Sequence, residues 1–328
     1  MSLARLLQAL VAALLLAAGS WAAFWLQRGQ VAWAVAGALG IVLVHAPFMA
    51  LEFVLLRRAN RDDPAPRPRV PELLRAWAAE VLGALAVFGW RQPLRWRRFD
   101  DHLPGDAQGR RGLLLVHGFV CNRGLWNPWW PRLRAAGVPC IALNLEPVFG
   151  SIDDYAPHID AAARRLSAAT GQPPLLVAHS MGGLAVRAWL RQYQGDERIH
   201  AVLTVGSPHH GTRLGRFGLW ANTRQMRELS AWLCRLAADE PAQRYRRFTC
   251  FYSHCDNIIF PCSTATLPGA DNRHLRGRAH VHLLQHPAVF DAVLHRLQED
   301  AEPQPAANSR SPASTTPASI SGQPRTSA

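Results

Sequence analysis

The chain has 328 residues, 49% of them hydrophobic, enough for one large domain with its own core plus appendages. Its formal net charge of +13 is carried by 36 basic residues, all arginine, spread along the chain beside abundant alanine; this reads as coding bias, and with no nucleic-acid module among the motifs it excludes nucleic acid as a partner. The six cysteines (Cys121, Cys140, Cys234, Cys250, Cys255 and Cys262) include no CxxC pair and have no histidine at zinc-ligand spacing, so no metal site is expected and a domain of this size does not need disulfides.

Residues 6–26 carry no charged side chain, and after Arg28 a second uncharged run covers 31–51. About 20 apolar residues at a rise of about 1.5 Å cross the roughly 30 Å hydrocarbon core of a bilayer. Residues 1–58 are therefore predicted to form a transmembrane helical hairpin turning at 27–30. The competing reading is a cleaved signal peptide, from Arg5, the Leu/Ala run and the small residues at 19–23; it leaves the second run as an anchor. Arg57, Arg58, Arg61, Arg67 and Arg69 outweigh Arg28 in the turn, so the positive-inside bias puts both ends of the hairpin in the cytoplasm. That corresponds to the inner membrane of a bacterium.

Residues 59–111 read as a linker and an amphipathic helix. The stretch 62–71 is rich in Pro and Arg and predicts an unpacked linker. Leu74, Trp77, Ala78, Val81, Leu82, Leu85 and Phe88 then recur at helical spacing. This helix either lies in the membrane interface, helped by Arg91, Arg95, Arg97 and Arg98, or packs on the folded domain.

From 112 to 300 short apolar runs alternate with helical stretches. Strands are predicted at 113–116, 140–143, 175–178, 202–205 and 248–252, and helices at 155–169, 181–193 and 288–297. This pattern specifies a mostly parallel sheet covered by helices on both faces. Residues 301–328 are Ser, Thr, Pro and Ala with almost nothing to bury, and predict disorder.

Chemistry concentrates in the third and later strands. Leu175 to Ala178 is an apolar strand, His179-Ser180 a sharp turn, and Met181-Gly182-Gly183 the start of a helix. A serine on such an elbow is lifted above the sheet edge as a nucleophile, with small neighbours where strand and helix backbones meet. A serine hydroxyl needs a histidine base and an acid that orients the ring. Asp256, in the loop after the strand at 248–252, is the candidate acid, ahead of Asp271 in a turn and Asp239 at a polar helix end. His280 is the candidate base. His282 then has a structural role, and His274 and His286 read as solvated loop residues. An oxyanion needs two fixed donors: the N–H of Met181, after the nucleophile, and the N–H of Phe119, after the strand-end pair His117-Gly118. Phe119, Val120, Leu125, Trp126, Trp129 and Trp130 line an acyl pocket or are simple core.

In this order the segments His117-Gly118, Ala178-His179-Ser180-Met181-Gly182-Gly183, Gly206-Ser207-Pro208-His209-His210-Gly211-Thr212, Asp256-Asn257-Ile258-Ile259 and the His280 stretch resemble bacterial lipases and esterases of the α/β-hydrolase superfamily. The pattern is especially similar to that of the small triacylglycerol lipases, whose elbow reads A-x-S-x-G. The resemblance covers about 112–297. It implies the α/β-hydrolase fold, with ester or lipid hydrolysis through Ser180, Asp256 and His280 and no cofactor. The expected substrate is a lipid or another apolar acyl ester at the membrane. Acyl transfer or thioester cleavage uses the same residues and stays open; a catalytically silent membrane scaffold is disfavoured by the intact set.

Overall fold

The computed structural model describes residues 2–299; the tail at 301–328, expected to be disordered, lies outside the described residues. Six parallel strands form one sheet: β1 (Leu113–Val116), β2 (Cys140–Ala142), β3 (Leu175–His179), β4 (Ala201–Val205), β5 (Phe248–Tyr252) and β6 (Asp271–His274), in the order β2-β1-β3-β4-β5-β6. The central strands are continuous apolar runs without alternation, because helices cover both of their faces. One face packs on the helices Ala156–Thr170 and Met181–Tyr193 through Ile159, Leu166, Leu184 and Trp189. The other packs on Trp126, Trp130 and the closing helix Pro287–Gln298. The five predicted strands are present, with ends shifted by no more than one residue. The sequence does not predict β6: its Asp-Asn-Arg-His is polar and largely exposed at the sheet edge, so no burial pattern marks it.

The N-terminal region departs from expectation in a defined way. α1 (Leu3–Leu26) and α2 (Val31–Val42) pair as a hairpin turning at 27–30, with Leu10, Leu15, Leu16, Trp33 and Leu39 exposed. The second run is not one helix, however. It breaks at Leu43–Val44 and bends by 52° into α3 (His45–Ala59). Pro47 explains the break: its ring clashes with the carbonyl four residues back, at Leu43, and has no N–H to donate to it. At about 1.5 Å per residue α1 is about 36 Å long, enough to cross a bilayer, whereas the 12 residues of α2 reach only about 18 Å.

α3 and α4 (Val70–Ala84) pack on the sheet domain. Phe53, Leu56, Ala59, Leu73 and Ala76 form a third core with Cys255, Phe260 and Ala279. The buried face of α4 is Leu73, Ala76, Glu80, Val81 and Ala84, while Leu74 and Leu82 of the predicted stripe are exposed. The linker is pinned at its start, where the Asp63 carboxylate accepts from the Ser263 N–H at 3.0 Å and O–H at 2.6 Å.

Candidate active site

Ser180 sits between β3 and the helix Met181–Tyr193 with φ 56° and ψ −131°, a conformation an L-residue adopts only under constraint. Its N–H donates to the Val205 carbonyl on β4 at 2.9 Å, which ties the turn to the sheet. The chain folds this tightly because its neighbours are small. A Cβ on Gly118 would lie 2.6 Å from Ser180 Cβ, so the loop after β1 reaches the serine only as glycine.

His280 begins a single turn of helix, His280–Leu283, and its Nδ1 lies 2.9 and 3.0 Å from the two carboxylate oxygens of Asp256. Asp256 Oδ1 also accepts from the Ile258 and Ile259 N–H groups, at 3.0 and 2.9 Å. Both side chains are buried. Burial opposes the charged imidazole, but the adjacent Asp256 charge and its hydrogen bond, with Glu80 and Glu52 beyond, outweigh it and hold the His280 pKa above its ordinary value. With Nδ1–H directed at Asp256, Nε2 is left as the basic nitrogen. Gly206, at φ +57°, is the counterpart of Gly118 on this side: a Cβ there would meet Asp256 Oδ2 at 2.8 Å and His280 Nδ1 at 3.2 Å.

The rivals go elsewhere. Asp271 starts β6 and pairs with Arg273 at 2.7 Å, and Asp239 faces Arg191 at 3.6 Å. His282 Nε2 lies 3.0 Å from the Arg278 guanidinium. His274 and His286 differ from the solvated reading: His274 Nε2 lies 2.7 Å from Nδ1 of the buried His254, and His286 caps the closing helix by accepting from the Ala288 N–H.

His117 contributes more than a strand-end signature. Its Nε2 accepts the Leu145 N–H at 2.9 Å, so its Nδ1–H donates to the Gly118 carbonyl, also at 2.9 Å. Burial pushes its pKa down to about 4, which keeps this neutral tautomer. Holding the Gly118 carbonyl on one side turns the Phe119 N–H of the same peptide plane to the other. Among the described residues neither the Phe119 nor the Met181 N–H has a protein acceptor.

Ser180, His280 and Phe119 line one cavity of about 300 Å³ with Met49, Phe88, Cys121, Leu214, Met226, Ile258, Ile259 and Val281. Leu125, Trp126, Trp129 and Trp130 are core beneath the sheet rather than pocket wall. The sequence reading misses Met49, Glu52, Glu80 and Phe88, which enter the cavity from the N-terminal helices. The six cysteines are all unpaired, and among the described residues no cluster of His, Cys, Asp and Glu is arranged to hold a metal.

Known proteins are similar to this chain in sequence or in fold. A probable esterase, PIR7A, of Oryza sativa subsp. indica is 28% identical over 117 residues, 33% of this chain and 43% of its own length. Esterase PIR7B of Oryza sativa subsp. japonica is 28% identical over 120 residues, 34% and 44% of the two chains. The chain thus spans less than half the length of these curated relatives. In fold it is similar to the mature lipase BlEst2 of Bacillus licheniformis, with TM-score 0.52, 16% identity, and 59% of this chain and 95% of that one covered. Lipase B of Aspergillus fumigatus gives 0.50 and 16%, covering 63% and 57%. The family defined by the alpha/beta hydrolase fold matches residues 113–278, just over half of the sequence. The chain belongs to the α/β-hydrolase fold family.

Proposed function

We propose that this protein is a membrane-anchored serine hydrolase that cleaves carboxylic esters with an apolar acyl group. The observation that carries the reading is the convergence of a constrained elbow serine, Ser180, and the Asp256-oriented His280 on one apolar cavity. Ser180 Oγ attacks the ester carbonyl as its proton passes to His280 Nε2. The Phe119 and Met181 N–H groups stabilise the oxyanion. Collapse gives the alcohol, protonated by His280, and an acyl-enzyme on Ser180. Water, deprotonated by His280, then releases the carboxylic acid and restores the serine.

Two features support a membrane setting. α1 is long and apolar enough to span, and with α2 it exposes apolar side chains that none of the described residues covers, so this hairpin serves as the anchor of a catalytic domain that begins near Gly112. Gly218 and Thr223 line the cavity, and in the same stretch of chain Phe217, Leu219 and Trp220 are exposed, with Trp220 stacked on Phe149 at 4.6 Å. Exposed apolar side chains on a segment that borders an apolar site suit entry of a lipid-like ester from the bilayer.

The test is a fluorophosphonate probe together with p-nitrophenyl esters of increasing acyl length, applied to the full chain in detergent. Labelling and hydrolysis are both expected, and both disappear in Ser180→Ala. Hydrolysis by Ser180→Ala at the wild-type rate would overturn the proposal.

A further inference from the structure

The first N–H groups of a helix have no partner within it. In the turn that opens with His280 the first three are taken up by side chains. The His280 N–H donates to Asn257 Oδ1 at 3.3 Å, and Asn257 Nδ2 in turn donates to Glu52 Oε2 at 2.7 Å. The Val281 N–H donates to Glu80 Oε1 at 2.9 Å and the His282 N–H to Glu80 Oε2 at 3.2 Å. Both carboxylates come from outside the matched fold region: Glu52 from α3 and Glu80 from α4.

Glu80 is 2% exposed. A buried carboxylate costs several kcal/mol unless donors meet it, and here the two donors are the backbone immediately following the candidate base. The same helices press on both functional loops, since Phe53, Leu56, Leu73 and Ala76 pack against Cys255 and Ala279, the neighbours of Asp256 and His280. The titratable groups around the His280 ring are Asp256 after β5, His179 at the end of β3 with its ring centroid 4.7 Å away, Glu80 on α4 and Glu52 on α3.

We propose that Glu80, seconded by Glu52 through Asn257, is a positioning residue that fixes the His280 backbone for proton transfer, so that the N-terminal helices complete the catalytic apparatus of the hydrolase domain. The inference rests on the reading of Ser180, Asp256 and His280 as the reacting set. It gives α3 and α4 a catalytic function that an anchor alone does not require. Displacement of a reacting group by about 1 Å costs about 100-fold in rate, and removing one of the two Glu80 oxygens releases one of the two N–H groups that hold the His280 turn.

The test uses the full chain in detergent with p-nitrophenyl butyrate. Glu80→Gln is isosteric but offers one carbonyl oxygen to two N–H groups. Its kcat is expected to fall about 10- to 100-fold with KM within about twofold of wild type, because Glu80, although it borders the cavity, has both oxygens turned to the Val281 and His282 N–H groups rather than to the substrate. Glu52→Gln, at a partly exposed position, is expected to lose several-fold in kcat alone. In a His280→Ala background neither change has a further effect, since both act through that ring. Wild-type kcat in a folded Glu80→Gln, or a raised KM at unchanged kcat, overturns the inference. If Glu80→Gln does not fold, Glu52→Gln decides by the same criteria. Ser180→Ala, run in parallel, separates the two levels: turnover by that variant defeats the reading of the reacting set, whereas an inactive Ser180→Ala beside unaffected glutamate variants defeats only the positioning role.

Discussion

Asp256→Asn changes one atom of the site, and the structure dictates where the new amide points. Oδ1 receives the Ile258 and Ile259 N–H groups in addition to His280 Nδ1, whereas Oδ2 faces Nδ1 alone, at 3.0 Å. The asparagine carbonyl therefore stays at the Oδ1 position and the NH₂ group takes the Oδ2 position, with a donor against Nδ1–H. The ring escapes this opposition by moving its proton to Nε2, and an Nε2–H cannot accept the proton of Ser180. The tautomer that remains is wrong for a base, and the imidazolium formed during attack loses its counter-charge. A triad in this state loses about 10⁴-fold in kcat, about 5 kcal/mol of transition-state stabilisation at 1.36 kcal/mol per factor of ten. The assay is kcat and KM on p-nitrophenyl esters, with circular dichroism to verify the fold. Asp271→Asn, at an exposed position on β6 paired only with Arg273, is the control and should behave as wild type. A folded Asp256→Asn within tenfold of wild-type kcat refutes the reasoning, and loss of activity in Asp271→Asn instead moves the acid to that residue.

Two further outcomes follow from charge. The proposed base, His280, can accept a proton only when neutral, and its folded pKa is raised above 6.5, so the acid limb of kcat/KM should lie above pH 6.5; a limb below that value contradicts the Asp256 pairing. By the same sign, the stabilisation from the protonated pair is present below the unfolded pKa and fades as pH rises through the folded one. The arginines at 57–69 outweigh Arg28, so the hydrolase domain should face the cytoplasm provided that α2 and α3, bent by 52°, together return the chain across the bilayer, since α2 alone is too short; C-terminal reporter fusions test this, and activity of an export-dependent reporter alone rejects it.

What can be read in advance divides along physical lines. β1, β3, β4 and β5 are legible because strands covered on both faces must be apolar throughout, and Leu-Leu-Leu-Val or Ala-Val-Leu-Thr-Val has little alternative. β6 is not, since an edge strand with exposed side chains is held by backbone hydrogen bonds, which any sequence can make. The break at Leu43–Val44 does have a signal: Pro47 stands within an otherwise unbroken apolar run, and hydropathy averaging passes over it.

The site shows the same division more sharply. Ser180, with Gly182 and Gly183 behind it, is a local feature: the elbow exists only where consecutive residues permit it, so the sequence carries it in one piece. Asp256 and His280 can be proposed from chain order, but they come to 2.9 Å through the parallel register of β4 and β5, which no motif displays, and past Gly206, which the Gly206–Thr212 segment displays without its role against Asp256 and His280. Glu52 and Glu80 carry a signal of another kind. A lone carboxylate on the apolar face of a helix opposes the packing that the rest of that helix seeks, and it persists there only where donors satisfy it. In α4 the stripe drawn through Leu74 and Leu82 leaves Glu80 on the polar side, and the structure rotates the helix so that Glu80 is inside and those leucines are outside. In that orientation Glu80 meets two backbone N–H groups about 200 residues away, beside the buried Leu73, Ala76, Val81 and Ala84. The spacing of apolar residues along the helix cannot register such a contact, because the donors belong to another part of the chain and become adjacent only in the folded protein.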